Sequence, residues 1–338
     1  MKRHLPVLVG LVIGLAMAAS AIPGSASVTA PVQAPVKAGS DRAPLLNVAT
    51  LNFCNHTCRD YQGRLAALRN TIRATRPDVL ALQEVDSRVG YLNVVEKALG
   101  TLGYRNANPH AAQQCTATCE SHVFVRTDVV EVLGGYSTRP SDWAGILYMS
   151  DIARPARGYP ASYAFLRHRP SGAEFLAVSL HFEKQNGTDG NGPDDRARNA
   201  AAAGLARWTR QRAAALGKPG LPTVLMGDFN TYLRKHPRGA ERVLMQRGFR
   251  NTDRARVRIG AHYPTVNKYP LDARWNGFPP RPRFFLEGGP QIDKIMTRGI
   301  GRALRYEIYI RKSPGGRFDE RFRSSDHNLV RATIPIGG

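Results

Sequence analysis

The 338-residue sequence is poor in acidic residues, contains only four cysteines, and has no long apolar run after its N-terminal segment. Aspartate and glutamate number 26 against 48 lysines and arginines. We find no internal repeat and no later segment that is long and apolar enough to span a bilayer. These absences exclude a repeat architecture and any membrane-spanning segment beyond the N-terminus.

The N-terminal 27 residues have the layout of a secretory signal peptide. Basic residues at 2–4 precede an apolar stretch over 5–19, and small residues at Ala21 and Ser27 provide cleavage sites. We predict cleavage after Ser27 and secretion of the mature protein. An uncleaved membrane anchor is the alternative, because the apolar stretch approaches the length of a membrane span.

The rest of the chain divides into a short lead-in and one domain. Residues 28–43 are small and Pro-containing, which is typical of a flexible segment. Residues 44–338 suffice for one large domain or two small ones. We predict one domain, monomeric and without a stable membrane anchor. The net charge of +22 indicates a polyanionic partner, such as nucleic acid, an anionic lipid surface or an acidic polysaccharide. Charge that only maintains solubility is the alternative.

The four cysteines form two pairs of equal spacing, Cys54 with Cys58 and Cys115 with Cys119. In a cytosolic protein this pattern would suggest a zinc site with four thiolates. Export favours disulfides instead. Four cysteines allow three connectivities and the sequence does not choose among them, but two local loops are feasible and are the pairing that we expect.

Apolar strands alternate with fewer amphipathic helices through the predicted domain. Strands are predicted at 45–53, 78–84, 121–126, 129–136, 161–167, 174–182, 223–229, 291–296 and 328–335. Helices are predicted at 59–75, 91–99, 195–216 and 239–247. In the first helix Leu65, Leu68 and Ile72 form the apolar face and Arg64 lies on the polar side. This order predicts sheet packed on sheet, with helices covering the outer faces.

Polar side chains recur where these strands stop. They are Asn52, Glu84, His181, Asp228, Asn230, Asp293, Asp326 and His327. Each has an ordinary explanation by itself, such as a helix cap, a turn or a buried histidine. Together they predict a catalytic cluster, because strand ends are where a rigid scaffold presents catalytic groups.

Five short motifs carry a resemblance to a known family. They are LQEVD at 82–86, SLHF at 179–182, GDFN at 227–230, IDKI at 292–295 and SDHN at 325–328. In this order they resemble the endonuclease/exonuclease/phosphatase superfamily, and the chain is most similar to its secreted pancreatic-type deoxyribonucleases. The resemblance implies an α/β fold, a four-layer sandwich of two packed mixed β-sheets flanked by helices. It also implies metal-dependent hydrolysis of phosphate esters.

The resemblance implies a role for each polar residue. His181 and His327 are the acid and the base, in an order that stays open, and Glu120 and Asp293 orient them. Asp228 holds or activates the attacking water, or is itself the base.

On a strand, Asp228 and Asn230 point to the same side, so that Asn230 donates its amide hydrogens to the phosphate, and Gly227 leaves room for the phosphate to approach. The metal is expected on Glu84, with Asn52 and Asp326 nearby. Mg²⁺ is our first choice, with Mn²⁺ or Ca²⁺ as alternatives.

Two arginines are candidates for substrate phosphate contacts. They are Arg88, in QEVDSR, and Arg157, in RPARGYP, with Arg154 as the rival of Arg157. The segment PDDRARNAAA lacks an Arg-x-x-Gln pattern that is frequent in the family, which puts a phosphate contact from that helix in doubt.

Three classes of function fit these features. We expect a secreted nuclease that acts on DNA, with RNA as an additional substrate if its specificity is broad. A secreted phospholipid phosphodiesterase of the sphingomyelinase type, or a phosphoinositide phosphatase, is the alternative. Its membrane contact would be the apolar segment SDWAGILYM at 141–149, which equally fits a covered strand. A non-catalytic polyanion-binding protein is the third class, and the intact polar set argues against it.

Overall fold

The computed structural model describes most of the predicted domain. The described residues are 43–55, 58, 60–87, 90–109, 115, 119–136, 142–155, 158–184, 193–233, 236–267, 291–314 and 318–337. The predicted signal peptide, the lead-in up to residue 42, Arg88 and Arg157 lie outside them. The compact unit runs from Arg42 to Gly338.

The described residues contain fourteen strands and five α-helices. The strands are β1 Leu45–Asn52, β2 Val79–Gln83, β3 Tyr104–Asn106, β4 His122–Arg126, β5 Val130–Val132, β6 Ala144–Leu147, β7 Ala161–His168, β8 Glu174–His181, β9 Thr223–Asp228, β10 Arg250–Asn251, β11 Val257–Ile259, β12 Asp293–Arg298, β13 Arg305–Ile308 and β14 Val330–Pro335. The helices are α1 Tyr61–Thr75, α2 Tyr91–Gly100, α3 Met149–Ile152, α4 Pro193–Ala215 and α5 Ala240–Met245. A short 3₁₀ turn covers Thr252–Arg254.

The strands form two sheets. One has the order β11-β13-β14-β1-β2-β4-β3, and the other has the order β10-β12-β9-β8-β7-β5, with β6 also paired to β7. Both are mixed, since β1 and β2 run parallel and β1 and β14 antiparallel, while β8 and β9 run parallel and β9 and β12 antiparallel. The first sheet and the second sheet keep these names below.

Three apolar clusters hold four layers together. Between the sheets, residues such as Val48, Ala81, Val224 and Met226 are fully buried. Outside the first sheet, α1 and α2 pack through a second cluster, and outside the second sheet α4 packs through a third. The predicted four-layer α/β sandwich is confirmed.

Helix α1 shows how the sequence pattern becomes local structure. Asp60 caps it by accepting a hydrogen bond from the backbone N–H of Gly63, and Leu65, Leu68 and Ile72 face the first sheet as predicted. The prediction for Arg64 is wrong: this side chain is buried and donates to the carbonyls of Phe53 and Cys54 at 2.7 and 2.8 Å. A buried guanidinium needs such acceptors, and here they anchor the loop that follows β1.

The segment that a lipid-active enzyme would use for membrane contact is part of a sheet. Its residues 144–147 form β6, which pairs antiparallel with β7, and Ala144 and Leu147 are buried. Of the two explanations for SDWAGILYM, the described residues support the covered strand. In the described part of the chain, no helix is long and apolar enough to cross a membrane.

Both disulfides are local. Cys54 is bonded to Cys58 and Cys115 to Cys119, which confirms the expected pairing. The first disulfide closes the loop directly after β1, next to the end of that strand at Asn52. It therefore restrains the backbone at the site described below.

Candidate functional site

Strand register brings three predicted residues into one row. His181 at the end of β8 is the register partner of Asp228 at the end of β9. Asp228 is in turn the partner of Asp293 at the start of β12, which runs antiparallel to β9. The second sheet therefore presents an imidazole and two carboxylates side by side at one edge.

The first sheet contributes Asn52 and Glu84 to the same edge. The Asn52 amide nitrogen donates to Glu84 Oε1 at 2.8 Å and to Asp228 Oδ2 at 3.2 Å, so that one side chain joins the two sheets. Glu84 has a left-handed backbone with φ of 60°, and its Oε2 accepts from the N–H of Asn55 at 3.1 Å. The turn at Glu84 directs its carboxylate toward Asn52, where it is half-buried.

The GDFN motif ends β9 in a turn. Strand β9 stops at Asp228, and Asn230 has φ of 49°, so its direction comes from the turn and not from strand alternation. The Asn230 N–H donates to Asp228 Oδ1 at 2.8 Å, and its amide donates to the Phe182 carbonyl at 2.9 Å. Phe229 is fully buried.

The structure gives a reason for glycine at position 227 that the sequence did not predict. Its φ is 155°, and a Cβ there would overlap the carbonyl oxygen of Leu180 on the neighbouring strand β8. The close approach of β8 and β9 therefore requires glycine here, whatever room it also leaves for a phosphate.

His327 and Asp293 form a buried pair. His327 Nδ1 lies 2.7 Å from Asp293 Oδ2, which places the ring proton on Nδ1 and leaves Nε2 for other chemistry. Burial by itself lowers the pKa of His327, but the carboxylates of Asp293, Asp326 and Asp228 outweigh it and hold the pKa well above its ordinary value. The raised pKa favours the protonated form of His327, which is the form that can donate a proton.

His181 is placed differently from the expectation. Its Nδ1 lies 3.9 Å from Glu120 Oε2, beyond hydrogen-bond distance, and its Nε2 lies 3.7 Å from Asp228 Oδ2. Among the described residues, no hydrogen-bond partner reaches Nδ1 of His181. The ring of Tyr159 instead stacks on His181, with a centroid distance of 4.6 Å and an interplanar angle of 27°.

Tyr159 is a site residue that the sequence did not predict. Gly158 forms an isolated antiparallel bridge to Phe182, and its φ of 117° brings the backbone close to that of His181. This bridge lays the next residue over the imidazole. A lone tyrosine between glycine and proline carries no catalytic signal, so only the bridge reveals the contact.

We expect Tyr159→Leu to lower kcat for a small phosphodiester by about tenfold, because His181 loses the ring that restrains its plane. Tyr159→Phe keeps the ring and should retain nearly full activity. Steady-state kinetics of both variants on bis-p-nitrophenyl phosphate make the comparison. If the two variants lose activity equally, the hydroxyl and not the stack is what matters.

The donor set fits a hard divalent cation. Carboxylate oxygens of Glu84, Asp228 and Asp293 converge at this edge, and Asp326 is half-buried beside it, with its Oδ1 accepting from Ser325 at 3.1 Å. Ligand atoms of Asp228, Asp293 and His327 also lie within 4.8 Å of one another.

That second grouping includes the hydrogen-bonded pair of Asp293 and His327. The hydrogen bond between His327 Nδ1 and Asp293 Oδ2 already uses one ligand atom of each residue, so we place the cation at the oxygen atoms near Glu84. Asn52 presents its nitrogen to Glu84, and its Oδ1 accepts from the Cys54 N–H at 3.1 Å. Ligation by Asn52 would require its amide to present Oδ1 instead.

Of the arginine candidates, the structure describes only Arg154. Arg88 and Arg157 lie outside the described residues, and Arg154 is exposed. On α4, Arg198 is fully buried and donates to the carbonyls of Glu183 and Lys184 at 2.8 and 3.1 Å. This arginine thus supports the chain that follows His181.

Comparison with known proteins identifies the family. A family model described as "Endonuclease/Exonuclease/phosphatase family" matches residues 49–327. The chain therefore belongs to this family, whose members are hydrolases that act on phosphate esters and generally depend on a divalent metal. The superfamily predicted from the five motifs is confirmed. No curated protein matches the chain significantly.

Solved structures support the fold. A mannosyl-6-phosphatase from Bacteroides thetaiotaomicron has 18% identity and a TM-score of 0.59, with 86% of this chain and 99% of that chain covered. The human Nocturnin catalytic domain with bound sulfate has 15% identity and a TM-score of 0.53, with 87% and 95% covered. D. rerio TDP2 with a single-strand DNA product has 15% identity and a TM-score of 0.52, with 86% and 98% covered. At these low sequence identities, the similarity shows a shared fold and no more.

Proposed function

We propose that this protein is a secreted, metal-dependent phosphodiesterase that cleaves DNA, and RNA as a second substrate, with little base specificity. The observation that carries the proposal is the link through Asn52, which joins the carboxylates of Glu84 and Asp228 from two different sheets next to both histidines. The closer resemblance to secreted pancreatic-type deoxyribonucleases, the signal peptide at 1–27 and the monomeric state are parts of this proposal.

Each residue of the site has a chemical task. Glu84, with Asp326 and Asn52, would hold Mg²⁺, or Mn²⁺ or Ca²⁺ in its place, and the bound ion would polarise a phosphoryl oxygen as a Lewis acid. Asp228 accepts the proton of the attacking water or orients it. His327, kept cationic by Asp293, donates a proton to the leaving oxygen.

Two more groups complete the arrangement. His181, stacked on Tyr159, lies on the side of Asp228 opposite Asp293 and would face the same phosphate. Glu120 places a negative charge near the imidazole, with its Oε2 3.9 Å from His181 Nδ1. Asn230 holds the turn after β9 and would donate an amide hydrogen to a phosphate oxygen. The assignment of acid to His327 rests on its raised pKa.

Nucleic acid is favoured over lipid by charge and by surface. The net charge of +22 suits a phosphate backbone, which supplies most of the affinity in non-specific binding. The apolar segment that membrane contact would need is occupied as β6 in the second sheet. The relatives with solved structures include one that holds a single-strand DNA product, which supports this direction.

The deciding experiment compares substrates in one preparation. Purified protein is incubated with plasmid DNA, RNA and sphingomyelin vesicles, each with Mg²⁺ or EDTA. We expect degradation of DNA that EDTA stops and that weakens steeply as salt rises, because phosphate contacts release counterions.

His181→Ala is the control for contaminating nuclease and should lose this activity. Hydrolysis of sphingomyelin without degradation of nucleic acid, or nuclease activity that persists in EDTA, would overturn the proposal. A rate that does not respond to salt would exclude a phosphate-backbone substrate.

A further inference from the structure

A chain of hydrogen bonds links the two sheets across the largely apolar space between them. Thr50 Oγ1 on β1 donates to Gln83 Oε1 on β2 at 3.2 Å, and Gln83 Nε2 donates to Ser179 Oγ on β8 at 2.9 Å. Ser179 Oγ then donates to the Leu82 carbonyl at 3.1 Å. Thr50, Gln83 and Ser179 are all fully buried. We call these three side chains the inter-sheet clamp.

The clamp lies directly beneath the candidate site. Thr50 precedes Asn52 by two residues and Ser179 precedes His181 by two, so each points to the same face as the site residue after it, about 7 Å lower along the strand. Gln83 immediately precedes Glu84. Strands β1 and β8 therefore end in a residue of the site, and β2 is followed directly by one.

The surroundings of the clamp explain why it matters. The inter-sheet core is made of aliphatic residues such as Val48, Ala81 and Val224, whose contacts are non-directional and tolerate small shifts. A buried amide is costly unless it is hydrogen-bonded, and its bonds have a required length and angle. The clamp thus adds directional contacts between sheets at the level nearest the site.

We propose that Gln83 is a positioning residue that sets the separation of the two halves of the site. By tying β2 to β8, it keeps the Asn52 amide within reach of both Glu84 on one sheet and Asp228 on the other. It touches neither substrate nor metal. The inference rests on the proposed function, because the separation matters only if both halves act on one phosphate.

The test uses Gln83→Met, which has a similar shape and no hydrogen-bonding amide. We expect kcat for bis-p-nitrophenyl phosphate to fall about tenfold or more, since small displacements of reacting groups are costly. KM should stay within about twofold, because ground-state binding is not what changes. The full-length mature protein is used, at a temperature where each variant is folded.

A matched control separates positioning from stability. Val224→Ala removes buried apolar contacts from the same core, four residues before Asp228 on β9, and should lower stability without changing kcat. Mn²⁺ titration followed by electron paramagnetic resonance adds a measurement without turnover. Gln83 directly precedes the proposed metal ligand Glu84 and its amide holds the end of β2, so Gln83→Met should bind Mn²⁺ about tenfold more weakly. Val224→Ala should bind Mn²⁺ as the wild type does.

A second pair of variants guards against failure of Gln83→Met to fold. Thr50→Val keeps the shape and removes the hydroxyl, whereas Thr50→Ser keeps the hydroxyl. Loss of kcat and Mn²⁺ affinity in Thr50→Val with retention in Thr50→Ser supports the clamp. The proposal would be overturned if Gln83→Met or Thr50→Val kept wild-type kcat and Mn²⁺ affinity. It would also be overturned if Gln83→Met and Val224→Ala both lost activity only in proportion to their loss of stability. If the wild type itself does not hydrolyse the diester, the proposed function fails, and the Mn²⁺ titration still judges the clamp.

Discussion

Asp228→Asn is expected to lower kcat/KM by about 10²- to 10⁴-fold, the usual size of a lost proton-transfer group. Asp228 Oδ2 lies between a residue of each sheet, 3.7 Å from His181 Nε2 on the second sheet and 3.2 Å from the Asn52 amide nitrogen on the first. Asparagine has the same shape and can still accept from the Asn230 N–H, so the turn should persist. What is lost is the negative charge that accepts or orients the proton of water, together with the oxygen that accepts from the Asn52 amide.

The neighbouring residue provides the control. Phe229 is fully buried and packs edge-on against Phe182 with a centroid distance of 5.4 Å. Phe229→Ala should lower the free energy of unfolding by about 3–5 kcal/mol, while the folded fraction keeps most of its activity. Urea unfolding and kinetics on the small diester are measured for both variants. An Asp228→Asn protein that retains wild-type kcat/KM would remove Asp228 from the mechanism.

His327→Gln is expected to lower kcat/KM by about 10²- to 10⁴-fold, because the leaving oxygen no longer receives a proton from an imidazolium. The sign of the pH dependence follows from the raised pKa of His327. The wild type should keep its activity through neutral pH and lose it on the alkaline side, as His327 gives up its proton. Asp293→Asn removes the main carboxylate that raises this pKa, so the alkaline limb should move to lower pH.

The pH profile of kcat/KM measures this shift, since it reports groups of the free enzyme. His262→Gln is the matched control, because His262 is exposed and its imidazole contacts Tyr263 at a ring distance of 3.8 Å. It should leave both rate and profile unchanged. An alkaline limb that stays in place in Asp293→Asn would show that His327 is not the titrating acid.

Much of the fold follows from patterns of short range. Alternating and continuous apolar runs predict β1, β2, β8 and β9 within a residue or two, because burial of an apolar face is what decides those segments. The spacing of the cysteines makes local pairing feasible without choosing it among three connectivities, and the structure shows the local pairs that we expected. The five motifs predict the superfamily, whose model matches residues 49–327.

Other features depend on chain segments that are far apart. Arg64 has the spacing of a polar helix face, yet the loop after β1 turns back over it and supplies carbonyl acceptors. Gly227 stands in a motif that suggests room for a ligand, yet the crossing carbonyl of Leu180 is what excludes a side chain. In both cases the neighbour that matters is on another element.

The candidate site shows the same division. By itself the sequence determined which residue types end the strands: acids, amides and imidazoles placed where an apolar run stops. The tertiary structure decided which of them contact one another. Asn52 hydrogen-bonds to Glu84 and Asp228, His327 hydrogen-bonds to Asp293, and the ring of Tyr159 stacks on His181. The physical reason is that a residue's place along a strand depends on local apolar patterning, whereas contacts across two sheets depend on register and packing between segments far apart in the chain.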